Sequence, residues 1–517
     1  MPQGSVTEIE LSDQRGLKGS STLSDTNGTI QQSLATPKVG KARGVTVIVT
    51  LAGISFLNTM GSGILIAALP RIATDLDLAD ELILWPAAVY ALAAGCLLLI
   101  FGTVADVVGA KLMWVTGSFI YAAFTVAVGF SQTGLQIILF RTCLGVAIAM
   151  CLPTAVGLIT ATFPKGTWRN TAFAMNGMGQ PLGYALGLVL GGIFTDSIGW
   201  RWAYYIMAII NVLLSMASIW SLPAVHHRTG KKWTRRLVEE IDWIGAIIMS
   251  AGLGLLLYVL AMISSSYTSI RHPINATLLG VSIVLLILFP FWMHRQTRRG
   301  RPAIIPNRLW RNSAFTSICV SVFFCWAALN GIEYYTTLYF QNIEGLSALD
   351  SSIRFIPHPI VGTATNIMTA YLISRVRVQT LAVVSALITV SAPILIATVK
   401  VGENYWFAPF WALVLSPISP DVSNIVISEA FPDDLQSLAG GVFNEVSQFG
   451  NSVGLAITAA VAASVTAQEP STDDRVAALM EGYRMALWTI FAATVVVLLV
   501  TSTGLRKAGT IGKVEGK

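Results

Sequence analysis

The stretch Asn176–Trp202, NGMGQPLGYALGLVLGGIFTDSIGWRW, decides the fold class. Within it Gly179, Gly183, Gly187 and Gly191 recur every fourth residue, so on a helix they line one face. In water a glycine inside a helix costs about 1 kcal/mol relative to alanine. Four in series therefore need a compensating contact. In a bilayer that contact is another helix, because small residues four apart let two backbones come close together. Pro181 lies in the same run and removes one helical hydrogen bond, which a packed membrane helix tolerates. The stretch predicts a bent, tightly packed spanning helix.

Composition extends this reading to the whole chain. Of 517 residues, 54% are hydrophobic and 12% charged, where a soluble domain carries about 25% charge. Apolar runs of about 20 residues, enough to cross roughly 30 Å of hydrocarbon, recur from end to end. The net charge of +6 then reads as a topology signal, and no nucleic-acid partner is expected. Cys96, Cys143, Cys151, Cys319 and Cys325 all lie in apolar runs without a CxxC pair, which predicts buried thiols. No G-x-x-x-x-G-K-[ST] loop is present, so direct ATP drive is not expected. His226, His227, His272, His294 and His358 sit mostly in predicted loops and form no metal motif. No convergent catalytic set is visible. The chain is expected to be neither an enzyme nor a holder of a cofactor or metal.

Fourteen spans are predicted, near 45–68, 83–104, 112–130, 136–162, 171–196, 201–221, 241–263, 275–293, 313–337, 352–375, 379–399, 405–427, 440–466 and 485–505. Cytoplasmic loops accumulate lysine and arginine. With both ends inside, Arg228, Lys231, Lys232, Arg235 and Arg236 follow span 6. Arg295, Arg298, Arg299, Arg301, Arg308 and Arg311 follow span 8, and Arg506, Lys507, Lys513 and Lys517 close the chain. The outer loops instead carry Asp75, Asp77, Asp80 and Glu81, then Glu469, Asp473 and Asp474. Asp433 and Asp434 run against the pattern, but acids weigh little in it. Residues 1–43, rich in Ser, Thr, Gly and Gln, read as a disordered cytoplasmic tail without a signal peptide. Asn275-Ala276-Thr277 matches a glycosylation acceptor, but its place at the membrane edge predicts that it stays unmodified.

Between spans 2 and 3, Gly102-Thr103-Val104-Ala105-Asp106-Val107-Val108-Gly109-Ala110-Lys111 resembles the loop signature of the major facilitator superfamily, G-x-L-A-D-x-x-G-x-K. Asn58-Thr59-Met60-Gly61-Ser62-Gly63 through Ala68-Leu69-Pro70 resembles the first-span motif of its fourteen-span drug:proton antiporter family. Arg141 to Gly145 resembles the fourth-span R-x-x-x-G motif, and the glycine stretch resembles the fifth-span antiporter motif. The resemblance covers about 45–505, and its wording is most similar to the filamentous-fungal efflux branch. It implies an all-α integral membrane protein of major facilitator fold, with two six-helix bundles and two inserted helices. The corresponding segments are 44–221 and 313–505 for the bundles and 241–293 for the inserted hairpin. A cytoplasmic linker (222–240), a basic loop (294–312) and a tail (506–517) complete the chain. Three positions depart from the family pattern. Asn58 stands where an aspartate is common, Gln180 separates Gly179 from Pro181, and Val107 replaces an arginine.

The resemblance further implies a proton-coupled exporter of drugs, toxins or secondary metabolites, working by alternating access. The partners expected are a small amphipathic substrate, protons and the lipid bilayer, with the chain a monomer. Its place is the plasma membrane or, alternatively, the vacuolar membrane. Import of a small molecule such as an iron chelate, and sensing without transport, are the other readings of the same fold. As conformational switch the family motifs nominate Asp106, Gly109, Lys111, Gly179, Pro181, Gly183, Gly187 and Gly191. Asp106 and Lys111 would latch the cytoplasmic side, and the glycines would let the two bundles pack and pivot. Ionisable groups within spans are functional suspects. These are Arg141, Glu333 and Glu445, the proton-coupling candidates. The alternatives are an arginine that snorkels to the outer surface and acids that sit at solvated span ends. Asn58, Asn176, Gln180, Trp326, Asn330, Tyr334, Asn366, Asn444 and Gln448 are candidates to line a substrate cavity. For the amides, bonding between helices is the competing role.

Overall fold

The computed structural model describes residues 40–78, 82, 85–164, 166–223, 233–265, 269, 271–305, 307, 309–373, 375–418, 423, 427, 435–468 and 475–506. The tail up to residue 39 lies outside them. So do Asp80, Glu81, Arg228, Lys231, Lys232, Arg308, Asp433, Asp434, Glu469, Asp473, Asp474, Lys507, Lys513 and Lys517.

The helices of the first half are α1 (Lys41–Asp75), α2 (Trp85–Val108), α3 (Ala110–Gly129), α4 (Gly134–Thr162), α5 (Thr167–Asp196) and α6 (Trp200–Ser221). A short helix, α7 (Trp233–Glu239), leads to the pair α8 (Trp243–Ser265) and α9 (Pro273–Arg298). The second half contains α10 (Ser313–Leu338), α11 (Ala348–Arg354), α12 (Pro357–Leu372), α13 (Val378–Thr389), α14 (Ser391–Ala397), α15 (Pro409–Leu415), α16 (Gln436–Gln468) and α17 (Arg475–Gly504).

Local sequence explains where the chain turns. Gly109 (φ 115°) joins α2 to α3 and Gly199 (φ 98°) joins α5 to α6, a conformation that a side chain with a Cβ rarely adopts. Thr133 caps α4 by accepting from Gln136 N, and Gln136 Oε1 accepts in return from Gln132 N. Asn312 caps α10 through Ala314 N.

Twelve helical stretches among the described residues are long and apolar enough to cross a membrane. Two predicted spans are not among these stretches of the described residues. At 352–375 the chain forms α11 and α12 in tandem. Pro357 and Pro359 lack the N–H groups that would continue the helix, and 3₁₀-type bonds bridge the break, Ile356 N to Ile353 O and His358 N to Phe355 O. The 16 residues of α12 span about 24 Å, short of the roughly 30 Å required. At 405–427 the described helix is α15, and several later residues lie outside the described set.

In the first group of helices α4 packs on α2 and α3, and α6 packs on α3. Its interior holds the fully buried Trp114, Trp200, Tyr121, Tyr204 and Phe173. In the second group α10, α16 and α17 pack on one another, and α17 also packs on α13 and α14. Tyr335, Tyr483, Leu487 and Ile490 are buried there. The two groups meet where α16 lies against α2 and α4 and where α12 lies against α5. The α8–α9 pair sits beside this seam, with α8 touching both α2 and α16. Asp242 fixes the foot of the pair, accepting from Gly245 N (3.0 Å), from Trp292 Nε1 (3.0 Å to Oδ2) and from Gln296 Nε2 (3.2 Å). Asn275 is buried and donates its amide to Ser269 O at 2.8 Å, which leaves the acceptor nitrogen of that glycosylation motif occupied.

Candidate functional site

At one end of the seam Asp106, in the last turn of α2, reaches the first turn of α16. Its Oδ1 accepts from Ser437 N at 3.0 Å and its Oδ2 from Leu438 N at 2.9 Å. A carboxylate on free N–H groups at a helix start is worth about 0.5–2 kcal/mol, and the helix dipole acts in the same sense. Glycines make this approach close. A Cβ at Gly102 would stand 3.1 Å from Ser437 O, and one at Gly440 would stand 2.6 Å from Pro153 O on α4. Lys111 does not share the latch. Its Nζ donates to Ile219 O at 2.7 Å, at the end of α6, so it binds within the first group. The reason is direction: Gly109 turns the chain, and Lys111 already belongs to α3.

The glycine face of α5 also meets a different partner from the one expected. A Cβ at Gly179 would fall 2.8 Å from Ala52 O, at Gly183 2.2 Å from Phe56 O, at Gly187 2.2 Å from Met60 O, and at Gly191 2.9 Å from Ile64 Cα. All four neighbours belong to α1. The stripe packs α5 on α1 within the first group and does not form the contact between the two bundles. Spacing defines a face; it does not name what covers it. The seam contact of α5 comes from Pro181, about 3.8 Å from where a Cβ on Gly362 of α12 would lie.

The α1–α5 contact absorbs two more candidates. Ser55 Oγ donates to Asn176 Oδ1 at 2.8 Å, and Thr59 Oγ1 donates to Gln180 O at 2.8 Å. Asn176 is therefore bonded between helices, and Gln180 takes part through its backbone. Asn58 accepts from the Tyr90 hydroxyl. Over the same ring, 4.5 Å from its centroid, stands the guanidinium of Arg141, which is 2% exposed and donates Nε–H to Pro86 O at 3.1 Å. Arg141 points into the helix group and does not snorkel.

In the second group the candidate amides bond to their own helices one turn back: Asn330 to Trp326 O (3.1 Å), Asn366 to Gly362 O (3.1 Å) and Asn444 to Gly440 O (2.8 Å). Asn366 Oδ1 is buried without a partner. Trp326 is half-buried, whereas Tyr334 is 45% exposed. Glu445, on α16, is 5% exposed, and its Oε2 is buried with no hydrogen-bond partner. It is not a solvated span end. Gln448, one turn on, lies opposite Gly95 of α2.

One cluster escaped sequence reasoning. Glu333 Oε1 of α10 is 3.0 Å from Nε2 of His358 on α12. Nδ1 of the same ring is 3.0 Å from Ser416 Oγ. His358 and Ser416 are buried. The signal that could have found this histidine is its place inside predicted span 352–375, between two prolines. Among the described residues no three His, Cys, Asp or Glu side chains converge on a metal site.

Two helix groups of long apolar helices in contact along a seam, with buried ionisable groups near it, make up a polytopic membrane protein. A profile described as Major Facilitator Superfamily matches residues 51–455, and the chain belongs to that superfamily. It is similar to "MFS-type transporter 1" of Pyricularia oryzae, 46% identical, covering 92% of this chain and 86% of the relative. It is 28% identical to "Low affinity ammonium transporter" of Saccharomyces cerevisiae, covering 77% of this chain and 76% of that one. It is 25% identical to "Efflux pump terJ" of Aspergillus terreus, covering 86% and 84%. Among solved structures, the human organic anion transporter MFSD10 (TETRAN) matches with TM-score 0.61 and 14% identity, covering 90% of this chain and all of that one. That likeness concerns the fold. The protein is a multi-pass integral membrane transporter and not an enzyme.

Proposed function

We propose that this transporter is a proton-coupled exporter of small amphipathic molecules that works by alternating access. In this reading it has fourteen spans, with α11–α12 and residues 405–427 supplying the two beyond the twelve long apolar helices of the described residues. Bundles 44–221 and 313–505 rock about the seam, and the hairpin 241–293 rides beside it. The chain acts as a monomer in the plasma or vacuolar membrane. The supporting observation is Glu445, a buried carboxyl in α16, the helix of the seam, with one oxygen unpaired. An ionisable group in such a place is a functional suspect, and a carboxyl there can carry the proton. The 25% identity to an efflux pump supports the outward direction. The test is efflux of a panel of fluorescent dyes and fungal toxins from cells expressing the chain, with and without a proton uncoupler. Loss of efflux with the uncoupler supports the proposal. Efflux that persists while ATP is maintained refutes proton coupling. Uptake is the second reading, and the same assay run inward distinguishes it.

A further inference from the structure

The Glu333–His358–Ser416 chain has a property that neither the glycine motifs nor Glu445 supplies: its hydrogen bonds close in two protonation states. Ser416 Oγ is 3.0 Å from His358 Nδ1 and 3.4 Å from Leu413 O. With a neutral ring, the Ser416 hydroxyl donates to Nδ1, and Nε2–H donates to the Glu333 carboxylate across 3.0 Å. With one more proton the ring is an imidazolium. Nδ1–H then donates to Ser416 Oγ, the hydroxyl turns to donate to Leu413 O, and Nε2–H still donates to Glu333. The heavy atoms need not move. A buried polar group left unpaired is costly, and this site keeps all its hydrogen bonds whether or not the extra proton is present. An imidazole is the side chain whose charge ordinarily changes between pH 5 and 8.

The placement suits a coupling site. The three groups come from α10, from α12 and from Ser416 just past α15. From the other side of the seam Pro181 of α5 meets Gly362 of α12 one turn beyond His358. Rocking of α5 against α12 changes what surrounds the pair. We infer that Glu333 and His358, supported by Ser416, bind one proton that is exchanged for substrate in each transport cycle. This rests on the proton-coupled reading above and adds a proton-binding pair in the second group, distinct from Glu445 on α16.

The test uses the full chain in proteoliposomes, with ethidium as probe and the membrane potential clamped by potassium and valinomycin. Each proton coupled across one pH unit sustains about a ten-fold concentration ratio. E333Q and H358Q are each expected to lower the steady-state ethidium ratio about ten-fold per imposed pH unit. Exchange of labelled for unlabelled ethidium at equal pH, which needs a folded carrier but no proton, is expected to continue. The double variant should lose no more than either single one, since the two groups act as a unit. Retained uphill accumulation in H358Q overturns the inference. So does joint loss of uphill movement and exchange, which would make the cluster part of the substrate site or the fold. A wild-type chain that exchanges ethidium but ignores the pH gradient refutes the proton-coupled reading itself, a result distinct from failure of these variants.

Discussion

Replacing Gly187 by alanine adds one carbon to the tightest contact of α5. That carbon would stand 2.2 Å from Met60 O and 2.9 Å from Met60 C and Cα, all backbone of α1. Ordinary contact begins near 3.4 Å, so the two helices must part by roughly 1 Å, and a gap of that size forfeits a quarter to a half of each dispersion contact. Gly183 stands equally close to Phe56 O, so the strain spreads along the stripe and cannot be relieved by one rotamer. Overpacking of this kind costs about 1–3 kcal/mol. Alanine also gains up to about 1 kcal/mol of helix propensity, which must be separated from the clash. Gly280 on α9 has nothing within 4 Å of its would-be Cβ, so G280A reports propensity alone. The difference between the two variants in denaturant unfolding of the detergent-purified protein should be about 1–3 kcal/mol, with G187A the weaker. Equal midpoints and slopes for G187A and G280A would refute the α1–α5 packing argument.

Other outcomes follow from single contacts. D106A frees Ser437 N and Leu438 N and should shift the conformer equilibrium away from this state by about 0.5–2 kcal/mol. Spin-label distances between the adjoining ends of α2 and α16 read this directly, and an unchanged distribution counts against the latch. K111A, whose bond stays within the first group, should leave that distribution in place. E445Q should abolish uncoupler-sensitive dye efflux while surface expression holds; full activity would remove Glu445 from the coupling scheme. D242A strands Trp292 Nε1 and Gln296 Nε2 and should cost about 1–3 kcal/mol of stability, visible as a lower unfolding midpoint than wild type.

The apolar runs made most of the spans legible, because a bilayer demands a fixed length of greasy helix whatever its neighbours do. The reading was weakest where prolines interrupt the run, at Pro357 and Pro359. There hydropathy continues although the hydrogen-bond ladder does not. Partners were harder to read than positions. The glycine spacing announced a close contact, but α1 was as good a candidate as any helix, and only packing chose it. Asp106 was recognised from its motif, yet its target, the backbone of Ser437 and Leu438, has no sequence signature because any residue offers an N–H. His358 is remote in sequence from both Glu333 and Ser416, and no local spacing joins three such residues.

The loop between α2 and α3 is fastened asymmetrically. Lys111 is tied to the end of α6, and Arg236 of α7 holds Val107 O at 3.2 Å, next door to Asp106. On the alternating-access reading, the carboxylate is thus mounted on a frame that stays with the first group when α16 departs. Re-forming the contact needs no loop search and little ordering entropy from that side, so the hook waits already shaped for its catch. The speed of re-closure is therefore governed by the return of α16, and substitutions in the hook should change how long the closed state lasts more than how fast it is regained.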